Sequence, residues 1–207
     1  MSKIKNVLII ESEIGNTGSV SRAIKNLGYN PIISNKKEDI LSSSHIILPG
    51  VGSFDKGISK LEKYDLKYNL IRAVNEKGIL LLGICLGMQL LATTGFENKK
   101  TQGLDLIPGT IEKLNVNSEL RLPHIGWNQV RFNNTNKLLI DIPNDKDFYF
   151  VHSYFFKPKF NKCELGFTNY GMNFTSIINK DNIFGVQFHP EKSLKFGIKL
   201  IENFLKI

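Results

Sequence analysis

Cys85 stands at the centre of Gly83-Ile84-Cys85-Leu86-Gly87, between the apolar run Ile79-Leu80-Leu81-Leu82 and a second apolar stretch, Leu90-Leu91-Ala92. G-x-C-x-G is the thiol counterpart of the nucleophile elbow, a buried strand that turns sharply into a helix. Such a turn strains the backbone at its apex, and side chains beside the apex would clash. Glycine on both sides meets that requirement. The helix start beyond the turn favours negative charge on the sulfur. Cys85 is therefore expected to be a nucleophile rather than a small buried hydrophobe.

A cysteine nucleophile needs a group that holds it as thiolate and later protonates the leaving group, and histidine serves for both. Phe184-Gly185-Val186-Gln187-Phe188 reads as a buried strand ending in His189-Pro190-Glu191. Proline cannot continue the strand ladder, so His189 and Glu191 are expected at its carboxyl end. A carboxylate two residues on can orient the imidazole and stabilise its charged form. Cys85, His189 and Glu191 are the expected triad.

A third segment supplies the electrostatics. Ile46-Ile47-Leu48 runs into Pro49-Gly50-Val51-Gly52-Ser53-Phe54. Glycines after a strand let backbone N–H groups turn toward a bound group. If this loop lies beside the elbow, the amides of Val51 or Gly52 together with Leu86 form an oxyanion hole.

These groups need elements to carry them. Strands are expected at 6–10, 31–34, 45–48 and 79–82, and helices at 17–27, 54–63 and 66–75. Val20, Ala23, Ile24 and Leu27 recur at helical spacing, with Gly28 as the stop. This β-α-β rhythm predicts a parallel sheet with helices on both faces. From about Gly109 to Thr175 the pattern changes to strands with short turns, at 111–116, 129–132, 148–155 and 164–168, a partly antiparallel extension. A helix at 194–206 closes the chain. The expected fold is α/β, a three-layer α/β/α sandwich with a mostly parallel central sheet and an antiparallel extension, in one domain over 1–207.

The chain has 207 residues, 42% hydrophobic and 22% charged, ordinary values for a soluble globular protein. The basic start is followed by only a short apolar run, then Glu11 and Ser12, so it does not read as a leader. Two cysteines, one of them the expected nucleophile, give no disulfide framework and predict a reducing, cytoplasmic setting. The net charge of +8 is spread over scattered lysines, without the concentrated basic face that nucleic-acid binding requires. His124 and His152 lack metal-ligand spacing and are expected to be structural. No metal or cofactor is expected.

PGVGSF (49–54), GICLGMQ (83–89), PHIGWN (123–128), FYFVHSY (148–154) and GVQFHPEKS (185–193) stand in the order and spacing of class I glutamine amidotransferases. The chain resembles that family over nearly its whole length, and within it the glutaminase subunits of imidazole glycerol phosphate synthase. The resemblance implies that Cys85 attacks the side-chain amide of L-glutamine, forming a thioester and releasing ammonia. It implies that His189 moves protons, that Glu191 holds its ring, and that Gln89, His152, Ser153 and Tyr154 help bind glutamine. It places Tyr149 and Lys192 near a subunit interface where ammonia leaves, and Trp127 and Asn128 in a docking segment. It also implies a partner: a cyclase subunit with a (β/α)8 barrel that receives ammonia internally, in a heterodimer. Weak glutaminase activity is expected without that partner.

Two segments depart from the family pattern. Glu11-Ser12-Glu13-Ile14 precedes the retained Gly15-Asn16, which lies near the docking face in the resembled enzymes, and Ala92-Thr93-Thr94-Gly95-Phe96 replaces a more acidic run. They leave open a second partner, a barrel enzyme that places nitrogen on surface sugars. A cysteine peptidase or a non-catalytic relative on the same scaffold is the alternative from another class.

Overall fold

The computed structural model describes residues 6–132 and 135–207. The basic start at 1–5 lies outside them. The first half alternates as expected: β1 (Val7–Ile10), α1 (Thr17–Asn26), β2 (Ile32–Ser34), α2 (Lys37–Ser42), β3 (His45–Gly50), α3 (Phe54–Lys63), α4 (Leu66–Asn75), β4 (Leu80–Cys85) and α5 (Leu86–Leu90). The second half runs β5 (Thr94–Gly95), β6 (Thr101–Gln102), β7 (Gly109–Lys113), β8 (His124–Val130), β9 (Lys146–His152), β10 (Tyr154–Pro158), β11 (Glu164–Asn169), β12 (Asn173–Lys180), β13 (Ile183–Val186) and α6 (Leu194–Lys206).

Among the described residues, eleven strands form one sheet in the order β2-β1-β3-β4-β13-β12-β10-β7-β5-β6, with β11 beside β12. The first five are mutually parallel. β12 and β10 then run antiparallel to their neighbours. This is the expected α/β arrangement of a parallel sheet with an antiparallel extension.

Alternation along the buried strands sorts the core into two layers. Leu8, Ile10, Ile46, Leu48 and Leu81 face one way, packed with Ile58, Leu61, Leu70 and Ala73 of α3 and α4. Val7, Ile9, Ile47, Leu82 and Ile84 face the other, packed with Val20 and Ile24 of α1 and Leu200 and Phe204 of α6. Burying each such large apolar side chain contributes about 1.5–3 kcal/mol. α1 is fixed at its start by Asn16, whose side-chain oxygen accepts from Ser19 N at 3.1 Å. It ends at Leu27, with Gly28 following at φ +85°.

Several elements differ from expectation. α2 and the two-residue β5 and β6 are too short to leave a period; Ile40 is the buried apolar residue of α2. β12 is buried at five consecutive positions that include Thr175 and Ser176, so it lacks both alternation and a continuous apolar run. The strand expected at 148–155 breaks at Ser153. β9 pairs with β8 in a separate two-stranded ribbon, whereas β10 joins the main sheet. β8 begins at His124 rather than Gln129, because its inward residues His124 and Asn128 are polar and give no apolar alternation.

Candidate active site

β4 and β13 are adjacent and parallel, with Ile84 opposite Val186. The carboxyl end of β4 therefore delivers Cys85 beside the segment that leaves β13 through Gln187 and Phe188 to His189. Ligand chemistry gathers at such carboxyl ends of parallel strands.

Cys85 is the apex of the elbow, at φ +55° and ψ −113°, directly before α5. Holding a non-glycine residue there costs about 1–3 kcal/mol, which the packing on both sides must offset. The flanking glycines show how tight that packing is. A Cβ on Gly87 would lie 1.8 Å from Leu48 O, and one on Gly83 would lie 2.6 Å from Gly87 O. The thiol is buried, with Val151 O and Gln187 Nε2 each at 3.8 Å from the sulfur.

His189 Nδ1 lies 2.9 Å from Glu191 Oε1, and both side chains are almost fully buried. The geometry assigns the Nδ1 proton to the bond with the carboxylate, which leaves Nε2 for chemistry. Nε2 is buried, with Cys85 as its neighbour. Burial by itself would lower the imidazole pKa, but the neighbouring Cys85 thiol and the Glu191 carboxylate outweigh it and raise it to about 9. The ring thus favours the imidazolium form that a thiolate needs as partner. Ser193 fastens the turn: its hydroxyl donates to His189 O at 2.6 Å and accepts from Tyr149 N at 3.0 Å.

The cavity beside Cys85 holds about 330 Å³, at the small end for ligand sites. Val51, Gly52, Cys85, Leu86 and Gln89 line one side, and His152, Ser153 and Tyr154 another. All the residues expected to bind glutamine or its oxyanion therefore meet at one place. The break at Ser153 makes this possible, because it swings β9 into the ribbon and keeps β10 in the sheet. The sequence does not disclose Glu97 and Pro123, which also line the cavity. Glu97 Oε2 accepts from Phe54 N at 2.8 Å, and burial raises its carboxyl pKa, with the charge of Asp55 adding to the rise against the Phe54 bond. A lone carboxylate in the turn between β5 and β6 carries no spacing signal.

The Val51 N–H donates to Ile14 O in the loop after β1. As the chain stands, that amide is engaged and cannot serve an oxyanion. Leu86 is the first residue of α5, where a backbone N–H has no intrahelical acceptor.

Gln89 is buried. Its Nε2 donates to Tyr154 O at 2.8 Å and to Gln187 Oε1 at 2.9 Å. Tyr154 O also faces His152 Nδ1 at 2.8 Å, and a carbonyl only accepts, so His152 carries its proton on Nδ1. His152 Nε2 then accepts from His124 Nδ1 at 3.1 Å, and His124 Nε2 accepts from Asn128 Nδ2 at 3.3 Å. Burial drives both imidazoles down, His124 to about 4 and His152 to about 3. The two histidines are thus a neutral, fully bonded structural pair.

Of the expected interface residues, Trp127 and Lys192 are exposed and Tyr149 lies between them. The Trp127 and Tyr149 rings meet edge to face at 6.0 Å, and Lys192 Nζ lies 5.6 Å from the Tyr149 ring centre. Asn128 instead turns inward to His124 and Asn169, and Asn16 is exposed at the start of α1 as its cap.

A sequence profile described as "Glutamine amidotransferase class-I" matches residues 8–207. The imidazole glycerol phosphate synthase subunit HisH 2 of Methanococcus maripaludis is 44% identical over 200 residues, covering 97% of this chain and 98% of the relative. Subunit HisH of the same synthase from Buchnera aphidicola subsp. Acyrthosiphon pisum is 45% identical over 201 residues, covering 97% and 99%. In shape the chain is similar to a chain of PurLQS from Thermotoga maritima, with TM-score 0.73 at 17% identity over 98% of this chain and 98% of that one.

Proposed function

The chain belongs to the class-I glutamine amidotransferases, among the HisH subunits of imidazole glycerol phosphate synthase, and we propose that Cys85, His189 and Glu191 are the groups with which it hydrolyses L-glutamine to glutamate and ammonia. The observation that carries this assignment is the meeting of a strained, glycine-flanked thiol with a buried His–Glu pair on neighbouring parallel strands.

The chemistry follows from those positions. Cys85 Sγ attacks the side-chain carbonyl carbon, a C–S bond forms, and the carbonyl π pair moves onto oxygen. Leu86 N–H and an amide of the 50–52 loop meet that charge. His189 gives its Nε2 proton to the amide nitrogen, the C–N bond breaks and ammonia leaves. Water then attacks the thioester and passes a proton back to His189. The C–S bond breaks, returning the thiolate and releasing glutamate. The carboxylate of Glu97 is suited to the substrate's α-ammonium, whose charge offsets the burial of the acid. Gln89, with both N–H groups spent inside the protein, keeps Oε1 for the substrate.

The engaged amide of Val51 predicts weak activity without a partner. One missing oxyanion donor costs roughly 3 kcal/mol, about a hundredfold in rate. The partner is a (β/α)8 cyclase that takes up ammonia, docking over Trp127, Tyr149 and Lys192; turning the Val51 N–H toward the cavity is what docking has to achieve. The identity to HisH subunits over nearly full length favours this partner over a sugar-modifying one. The test is glutamate release by the purified chain with and without the cyclase, supplied together with its nucleotide ligand. A strong rise with the cyclase supports the assignment, and equal rates overturn the coupling.

A further inference from the structure

Gln187 is fully buried, and its side chain spans the gap between the nucleophile and Gln89. The register of β4 and β13 sets it there. Val186 is opposite Ile84, so the next residue along is level with Cys85, and Gln187 N–H still bonds to Ser176 O at 2.9 Å. Which end of this amide faces the sulfur follows from its neighbours. Tyr154 O can only accept, so the Gln89 atom 2.8 Å from it is Nε2. The Gln187 atom 2.9 Å from that nitrogen must accept, so it is Oε1. Gln187 Nε2 is then the atom pointing at Cys85 Sγ, at 3.8 Å, within the longer reach of a sulfur acceptor.

We infer that Gln187 is an auxiliary catalytic residue, donating a hydrogen bond to the Cys85 sulfur when that sulfur carries negative charge, with its amide held in the donating orientation by Gln89 and the Tyr154 carbonyl. The inference rests on Cys85 being the nucleophile. Two steps need the donor: the thiolate before attack, and the thiolate expelled when the thioester is hydrolysed. The sulfur otherwise has Val151 O beside it, a carbonyl dipole that opposes negative charge. The titratable groups around it are His189 with Glu191 behind, and His152 and Glu97 across the cavity. Of these, only imidazolium His189 favours a thiolate. A fixed neutral donor 3.8 Å from the sulfur helps without altering the charge of the site. It also links substrate binding to the nucleophile, because Gln89 lines the cavity and orients Gln187.

The test is the pH dependence of Cys85 alkylation by iodoacetamide in the full chain, read by mass spectrometry on the Cys85 peptide, together with kcat and KM for glutamate release. Gln187→Met keeps the length but removes the donor; Gln187→Glu keeps an acceptor for Gln89 but sets a carboxylate oxygen on the sulfur. Gln187→Met should move the alkylation midpoint up by about one pH unit, about tenfold slower alkylation at a fixed lower pH. Gln187→Glu should move it further, and both should lower kcat more than they raise KM. An unmoved midpoint in folded variants overturns the inference and leaves Gln187 a packing residue. Should both variants fail to fold, the side-chain amide resonances of Gln187 in the unaltered chain decide: they should shift as Cys85 ionises and stay fixed in Cys85→Ala. Fixed resonances in both overturn the inference. Glutamate release that survives Cys85→Ala would instead remove the underlying assignment of the nucleophile.

Discussion

Val51 donates its backbone N–H to Ile14 O, which ties the loop after β3 to the loop after β1. Ile14 is buried, while its neighbour Glu13 reaches out to Lys60 and the Tyr64 hydroxyl on and just after α3. Those contacts hold the Glu13 carboxyl down at about 2. The exposed Glu13 cluster thereby anchors the carbonyl that occupies the Val51 amide. Glu13→Ala should raise partner-free glutamate release several-fold and shrink the relative gain on cyclase binding. A rate at or below that of the unaltered chain would show that the anchor does not restrain Val51.

The elbow predicts a steric result. The Cβ of Gly87→Ala would fall 1.8 Å from Leu48 O, a backbone atom that cannot swing aside. Loss of at least about 3 kcal/mol of stability is expected, along with loss of glutaminase activity. Urea unfolding checks the first and glutamate release the second. A variant of unaltered stability would mean that α5 does not rest on β3 as described.

His189 titrates with a definite sign. Its pKa in the folded chain, about 9, lies above the 6.5 of a free imidazole. The stability it adds is fully present below pH 6.5 and fades as pH rises through about 9. Glutamate release should fall over the same alkaline limb, because the leaving nitrogen then lacks its proton donor. Glu191→Gln should shift that limb to lower pH. An alkaline limb that stays in place would show that the carboxylate does not govern the ring.

His124 and His152 behave oppositely. Their pKa values near 4 and 3 lie below 6.5, so the unfolded chain takes up protons first as pH falls. The stability they contribute is present above pH 6.5 and is lost as pH falls through about 4 and then about 3. Nitrogen-15 spectra at pH 5.5 should show both rings neutral with the proton on Nδ1. A charged ring at either position would break the bonded series from Tyr154 to Asn128.

Most of the sheet and the proposed triad are legible in the residues. Gly83, Gly87 and Pro190 each impose a backbone constraint that a short window of sequence displays. What stays hidden depends on contacts between distant segments. Nothing near Val51 announces that Ile14 will take its N–H, and nothing near Glu97 announces a cavity. The Ser153 break is masked because apolar residues continue through Phe155 and Phe156, although β9 and β10 serve different sheets. Gln187 is visible only as a polar interruption of an apolar strand; its role emerges when β13 is set in register beside β4.

The most direct measurement is mass spectrometry of the Cys85 peptide after rapid acid quench of the chain turning over L-glutamine, with glutamate release followed in parallel. One glutamyl group bound to Cys85, absent from Cys85→Ala together with all activity, is the predicted result. Glutamate release by Cys85→Ala at the unaltered rate, or a glutamyl adduct on another residue, would contradict it.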